Sequence, residues 1–144
     1  MKTFRWLLVL AQLSLIYNTT LLVGVFLNLD WVKTRAAGGQ FDSFPVILRL
    51  VYLIMAVGMV YLMILIRGFF KGLSVTKSQV FLRNLGVLFS ISFVMQLISR
   101  SANERWNAIP AAIIAATFLF YMKRVETRGI EPLTPCLQSR CSTN

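Results

Sequence analysis

The sequence predicts an all-α integral membrane protein, a four-transmembrane-helix antiparallel up-down bundle with both the N- and C-termini cytoplasmic. Three observations lead to this prediction: a membrane-like composition, four long apolar runs, and an uneven distribution of Lys and Arg. The chain has 144 residues, of which 57% are hydrophobic and 14% are charged, and its mean hydropathy is +0.70. A soluble domain is usually about half apolar and about a quarter charged. Because the apolar excess is collected in long runs, the composition indicates a membrane protein.

The four apolar runs predict the helices. About 20 apolar residues are enough to cross the hydrocarbon core of a bilayer. The first run, WLLVLAQLSLIYNTTLLVGVFLNL, has a positive start but is long for a signal peptide and is followed by no convincing cleavage site, so we interpret it as a retained helix. Since every backbone amide in lipid needs an internal partner, each run is expected to be helical. The predicted helices cover about 6–28, 44–66, 80–99 and 106–122, and together with their connections they form a membrane domain at residues 1–127.

The distribution of cations predicts the orientation. The N-terminal segment, the loop between the second and third helices, and the C-terminal segment hold 10 of the 15 Lys and Arg residues. With four crossings these segments share one side, and the positive-inside rule places that side in the cytoplasm. Trp6, Trp31 and Trp106 fall at predicted helix ends, where tryptophan favours the membrane–water interface. We therefore expect a cytoplasmic-type membrane, either an inner or a plasma membrane, with sequential helices as antiparallel neighbours.

The titratable residues give little support for catalysis. Histidine is absent, which removes the commonest general acid–base residue and metal ligand. The five carboxylates all lie outside the apolar runs. We therefore predict a protein that is not an enzyme, with no catalytic residue, no metal site and no cofactor. The net charge of +10 is divided into small groups between apolar runs, so we expect no nucleic-acid partner.

Polar residues near the outer side of the membrane predict a candidate ligand site. Arg49 lies inside the second helix, and charges there usually face the bundle interior or a wet cavity. Gln96, Arg100 and Glu104 lie at the same level if the helices alternate in direction. In one interpretation Arg49 reaches the interface or pairs with Glu104 or Asp42. In the other, Arg49, Gln96 and Arg100 form a cationic pocket for an anionic small molecule or lipid headgroup.

Asn18, near the middle of the first helix, is a further candidate. Its side chain has two interpretations, an interhelical hydrogen bond or a polar ligand contact at mid-membrane. Small residues on three helices predict packing faces, because membrane helices associate where their backbones approach closely. These residues are Ala11 and Ser14, with Asn18 on the same face, in the first helix, Gly86 and Ser90 in the third, and Ala108, Ala111, Ala112, Ala115 and Ala116 in the fourth.

The expected partners are the lipid bilayer itself and a second membrane protein or a second copy of the chain. On the cytoplasmic side, a group of cations between the second and third helices is expected to contact anionic lipid. This group consists of Arg67, Lys71, Lys77 and Arg83.

The polar tail, residues 128–144, is predicted to be disordered and of unusual origin. Reverse-translated, GIEP can be GGG-ATC-GAA-CCC, the complement of a transfer-RNA TψC arm, GGGTTCGATCCC. CSTN can be TGC-TCT-ACC-AAC, the complement of a D arm, GTTGGTAGAGCA. We therefore interpret the tail as translation through the antisense strand of a transfer-RNA gene, and Cys136 and Cys141 receive no functional weight.

Two functional hypotheses follow from the sequence. The first is a non-enzymatic accessory subunit or scaffold, and the second is a small transporter or binder of an anionic small molecule or lipid headgroup. Charge reversal at Arg49 separates them, since a scaffold should lose stability whereas a binder should lose its ligand and stay folded.

Overall fold

The structure is a computed structural model that describes residues 2–36, 40–71 and 79–129. Within these ranges the chain is helical and contains no strand. In chain order the helices are α1 (Lys2–Phe26), α2 (Asp30–Lys33), α3 (Val46–Phe70), α4 (Gln79–Leu97), α5 (Ala102–Arg105) and α6 (Ala108–Gly129). The long helices α1, α3, α4 and α6 correspond to the four predicted runs, and the one-turn helices α2 and α5 lie in the connections between them.

Three of the described helices are long and apolar enough to cross a membrane. They are Phe4–Phe26, Val46–Phe70 and Val80–Leu97. α6 differs because its apolar part ends at Met122 and charged residues follow. At about 1.5 Å per residue its roughly 15 apolar residues reach about 22 Å, less than the ~30 Å hydrocarbon core. α6 also continues to Gly129, past its predicted end at 122, and residues 130–144 of the predicted tail lie outside the described ranges.

Stacked rings gather the beginning of α1, the end of α3 and the later part of α6 at one end of the bundle. The ring centroids of Phe69 and Tyr121 are 3.7 Å apart, and those of Phe4 and Tyr121 are 6.1 Å apart. Phe69 also meets Phe118 edge-on at 6.4 Å. Leu82, near the beginning of α4, belongs to the same core. We call this the aromatic end, and we call the opposite end, which contains the α1–α3 and α4–α6 connections, the polar end.

The four long helices do not pack equally closely. α1 packs against both α3 and α6, and α6 packs against α4. α3 and α4 follow each other in the sequence but are not a closely packed pair. The distance between helix axes depends on the side chains at the contact. α3 and α4 both contribute large residues to the shared core, among them Phe69 and Phe89, and each of these two rings contacts Phe118 of α6.

Small residues form the close contacts, as the sequence predicted. Ala11 and Ser14 of α1 are buried, and so are Ala108, Ala111 and Ala115 of α6.

Gly86 is the tightest of these positions, because it brings α4 against α6. A Cβ atom at Gly86 would lie 2.6 Å from Leu119 Cδ2 and 2.7 Å from Leu119 Cγ. Gly58, by contrast, lies on the exposed side of α3, and a Cβ there would meet nothing within 4 Å.

We therefore expect Gly86→Ala to destabilise the isolated protein by about 1–3 kcal/mol, since the added methyl group overpacks the α4–α6 contact. Gly58→Ala is the matched control, and its stability should stay equal or rise slightly because alanine favours helix. The measurement is unfolding by sodium dodecyl sulfate in mixed micelles, followed by circular dichroism. Equal destabilisation by the two substitutions would show that Leu119 does not restrict position 86.

Candidate functional site at the polar end of the bundle

The end of α1 is closed by a glycine-like turn at Asn28. Asn28 adopts a positive φ of 56°, a conformation that asparagine tolerates better than most residues. Its N–H donates to the carbonyl of Val25 and the N–H of Leu29 donates to that of Gly24, both at 3.0 Å, which is the Schellman pattern. The Asn28 Oδ1 atom then accepts the backbone N–H of Phe44 at 2.9 Å. The end of α1 is thereby joined to the segment that begins α3.

Arg49 makes a second connection between these two helices. Its Nε donates to the carbonyl of Phe26 at 2.6 Å, and its guanidinium carbon lies 5.8 Å from the centre of the Phe26 ring. The last carbonyls of a helix lack partners within the helix, and a cation is favourable beside them. Arg49 therefore fastens α3 to the C-terminus of α1, whereas the sequence suggested the interface, Asp42 or Glu104 as its partner.

The side chain of Asn107 links three segments that are distant in the sequence. Its Oδ1 accepts the hydroxyl proton of Tyr17 at 2.8 Å, and its Nδ2 donates to the carbonyl of Arg35 at 3.0 Å. Arg35 Nη1 donates to the Tyr17 hydroxyl at 3.3 Å, which closes the ring of contacts. Asn107 is only 5% exposed. We call Tyr17, Arg35 and Asn107 the polar lock, because they hold α1, the α1–α3 connection and the beginning of α6 together.

Further hydrogen bonds order the connections around the polar lock. The hydroxyl of Ser101 donates to the carbonyl of Thr34 at 2.6 Å, which joins the two outer connections. The hydroxyl of Ser99 donates to the carboxylate of Glu104. In α2, Lys33 Nζ lies 2.6 Å from Asp30 Oδ1. The hydrogen bond and positive charge of Lys33 lower the pKa of the Asp30 carboxyl below its ordinary value.

A cavity of about 140 Å³ lies beside the polar lock. Its apolar walls come from all four long helices. Met55 and Met59 lie on the α3 side, and Phe89 lies on the α4 side. Its polar lining consists of Asn18, Arg35, Tyr52, Ser92, Gln96, Glu104 and Asn107.

The cavity brings together three of the five predicted site residues. Asn18, Gln96 and Glu104 line it, whereas Arg49 and Arg100 do not. Arg100 is exposed, and Arg49 is directed to the end of α1. The arginine that does line the cavity is Arg35. The sequence suggested a cationic pocket of Arg49, Gln96 and Arg100. Of these three, Gln96 lines the cavity, whereas the two arginines lie elsewhere.

Asn18 hydrogen-bonds within its own helix. Its Nδ2 donates to the carbonyl of Ser14 at 3.0 Å. One interpretation of the sequence gave Asn18 a hydrogen bond to another helix. The neighbouring residue, Tyr17, makes the long-range hydrogen bond from this part of α1, to Asn107. Sequence reasoning missed all three residues of the polar lock. The available signal was an asparagine directly after Trp106, at the beginning of an apolar run.

Gln96 contributes an unpartnered acceptor to the cavity. Its Nε2 donates to the hydroxyl of Ser92 at 3.0 Å. Its Oε1 is buried, and no described residue donates to it. Gln12 of α1 has the same property at both amide atoms but does not line the cavity. Buried polar atoms usually have a partner, so the Gln96 Oε1 atom marks a position where a ligand or water donor fits.

At the aromatic end, three of the four cations expected to contact anionic lipid are described. Arg67, Lys71 and Arg83 are exposed, and Lys77 lies outside the described residues. Among the residues that the structure describes, no group of three or more His, Cys, Asp or Glu side chains is placed to hold a metal ion.

We expect Asn107→Ala to lower the free energy of unfolding by about 1–2 kcal/mol, because the Tyr17 hydroxyl and the Arg35 carbonyl lose their partner. Asn103→Ala is the matched control, since Asn103 is an exposed asparagine in α5. The measurement is the same mixed-micelle unfolding assay. A double-mutant cycle with Tyr17→Phe should show coupling between positions 17 and 107, and strictly additive effects would contradict the polar lock.

No protein-family model matches this chain, and comparison with curated proteins and with solved structures gives no match.

Proposed function

We propose that this chain is a non-enzymatic accessory subunit or scaffold of a cytoplasmic-type membrane, with α1, α3, α4 and α6 all crossing the bilayer. The observation that supports it most directly is the outward face of α3. The complete absence of histidine from the sequence supports the non-enzymatic part of the proposal.

The outward face of α3 is a continuous apolar surface. Ile47 is 79% exposed and Ile54 is 72% exposed, and Val57 and Ile64 on the same helix are also exposed. Monomeric soluble proteins rarely expose contiguous apolar patches of more than a few hundred Å², whereas lipid or another membrane helix covers such a surface without cost. Gly58 lies within this face and has open space beside it. Glycine lets a second helix approach closely, so the face is suited to a helical partner.

A fourth crossing by α6 is supported by its packing. α6 lies against both α1 and α4, and Phe118 at its middle is fully buried. Trp106, just before α6, is exposed, and so is Lys123 near its other end. Long cationic side chains extend from a membrane helix to the interface, which lets a short apolar segment span the bilayer.

The proposed orientation places the aromatic end in the cytoplasm. Arg5, Arg67, Lys71 and Arg83 are all exposed at this end, in agreement with the positive-inside rule. The polar end, with the cavity and the polar lock, then lies at the outer leaflet.

Ligand binding is the second candidate function, and the cavity at the polar end favours it. The cavity gathers Asn18, Gln96 and Glu104 with Arg35, so it combines a cation, a carboxylate and two amides beside an apolar wall. The contact of Arg49 with the Phe26 carbonyl at the end of α1 supports the scaffold hypothesis.

Cysteine labelling tests the topology. In a background with Cys136→Ser and Cys141→Ser, Asn103→Cys should react with a membrane-impermeant maleimide on intact cells. Lys71→Cys should react only after the membrane is permeabilised, because the two exposed positions lie at opposite ends of the bundle. Labelling of both positions on intact cells would exclude four crossings with cytoplasmic termini.

Gentle extraction followed by native mass spectrometry tests the accessory role. We expect a second membrane protein or a second copy at fixed stoichiometry. Gly58→Leu should reduce the associated fraction about tenfold, since the larger side chain keeps the partner helix away. Val57→Leu is the matched control, because it changes a neighbouring exposed residue and keeps the face apolar. A lone monomer, or equal association by both variants, would contradict a partner on this face.

A further inference from the structure

We propose that the cavity at the polar end binds the headgroup of a zwitterionic amphipath, a primary ammonium joined to a phosphate, and that its chains leave between α3 and α4. This inference deepens the ligand-binding candidate above and rests on the proposed placement of the polar end in the outer leaflet. It also changes the ligand class suggested by the sequence, from an anion to a zwitterion.

The charges that line the cavity are the first reason. Arg35 and Glu104 both line the cavity, so residues of opposite charge border the same space. An anion would meet the Glu104 carboxylate, and a cation would meet the Arg35 guanidinium. A zwitterion presents one group of opposite charge to each of these two residues. Arginine has five N–H donors in a planar fork that matches phosphate oxygens, and the described bond to Tyr17 uses one of them.

The unpartnered acceptor is the second reason. The Nε2 atom of Gln96 donates a hydrogen bond to the Ser92 hydroxyl, and no described residue donates to the buried Oε1 atom. A ligand in the cavity that carries a hydrogen-bond donor would offer this acceptor a partner. A primary ammonium carries three N–H donors, as in the side chain of lysine. A trimethylammonium group carries none, so the site distinguishes the two headgroups.

The size and walls of the cavity are the third reason. Its volume of about 140 Å³ is close to that of an engineered cavity of about 150 Å³ that holds one benzene molecule. An ammonium on a two-carbon arm fits this space, and an acyl chain does not. Met55 and Met59 of α3 face Phe89 of α4 across the cavity, and these two helices are not closely packed. Because Met55 is 46% exposed, the cavity has a side exit towards lipid.

Native mass spectrometry with competing lipids tests the inference. The purified full chain is mixed with equal amounts of dioleoyl phosphatidylethanolamine, phosphatidylcholine and phosphatidylglycerol, which share their acyl chains. We expect phosphatidylethanolamine to be retained about threefold to tenfold over phosphatidylcholine, the range that one or two hydrogen bonds provide. Equal retention of the three lipids, as for a cavity that holds only water, would overturn the proposal. A preference for phosphatidylglycerol would overturn it in favour of a simple anion site.

Variants of the lining residues connect this preference to the cavity. Gln96→Leu and Glu104→Gln should each reduce the ratio to near one. Gln96→Glu should retain the preference, because a carboxylate also accepts the ammonium. Gln12→Leu is the matched control, since it removes the other unpartnered buried amide, which lies outside the cavity. Loss of the preference in Gln12→Leu, or its persistence in Gln96→Leu with helix content unchanged by circular dichroism, would place lipid binding elsewhere.

A soluble competitor identifies the source of the headgroup. If O-phosphoethanolamine displaces the lipid at similar concentration, the cavity takes the free zwitterion. If it does not, the site needs the attached chains, and the ligand is a lipid. Both results support the same headgroup chemistry. If the chain shows no preference among the lipids, the results of the cysteine labelling and of the co-purification are not affected. Such a result would therefore contradict the headgroup site without contradicting the proposed topology or accessory role.

Discussion

The polar end of this protein depends on the hydrogen bonds made by the buried side-chain amide of Asn107. This amide accepts a hydrogen bond from the Tyr17 hydroxyl of α1 and donates one to the carbonyl of Arg35 in the α1–α3 connection. One side chain therefore fixes the relative positions of three segments. Asn107 is only 5% exposed, and an unpaired buried polar group is costly, so its pairing is strongly favoured. The hydrogen bonds to Tyr17 and Asn107 also hold Arg35 in position, and Arg35 is the cation that lines the cavity.

The cavity itself follows from unequal packing between the helices. Small residues let α1 and α6 approach each other, and Gly86 lets α4 approach α6. α3 and α4 both place large side chains such as Phe69 and Phe89 in the common core, but these two helices are not a closely packed pair. Three pairs of long helices pack closely and the α3–α4 pair does not, so the bundle has a gap between α3 and α4. At the polar end a cavity of about 140 Å³ remains beside the polar lock.

The arginines show how similar residues acquire different roles from their surroundings. Arg49 lies at the C-terminus of α1, where a carbonyl of Phe26 lacks a helical partner and where a cation is favoured by the helix dipole. Arg35 contacts Asn107 through its backbone carbonyl and Tyr17 through its guanidinium, and it also lines the cavity. Arg100 is exposed at the same end. One of the two interpretations of the sequence placed Arg49 and Arg100 in one pocket, because spacing along the chain could not show which cation would lie at a helix terminus.

The sequence by itself determined the helical, membrane-type character of the chain, since long apolar runs leave the backbone no other way to satisfy its amides in lipid. It also indicated the small-residue contacts at Ala11, Ala111 and Gly86, because close helix packing requires small side chains. Only the tertiary structure decided that α3 and α4 stay apart and that Asn18, Gln96 and Glu104 meet Arg35 in one cavity. Those features depend on which side of each helix faces inward and on contacts such as Tyr17 with Asn107, 90 residues apart, which no local pattern encodes.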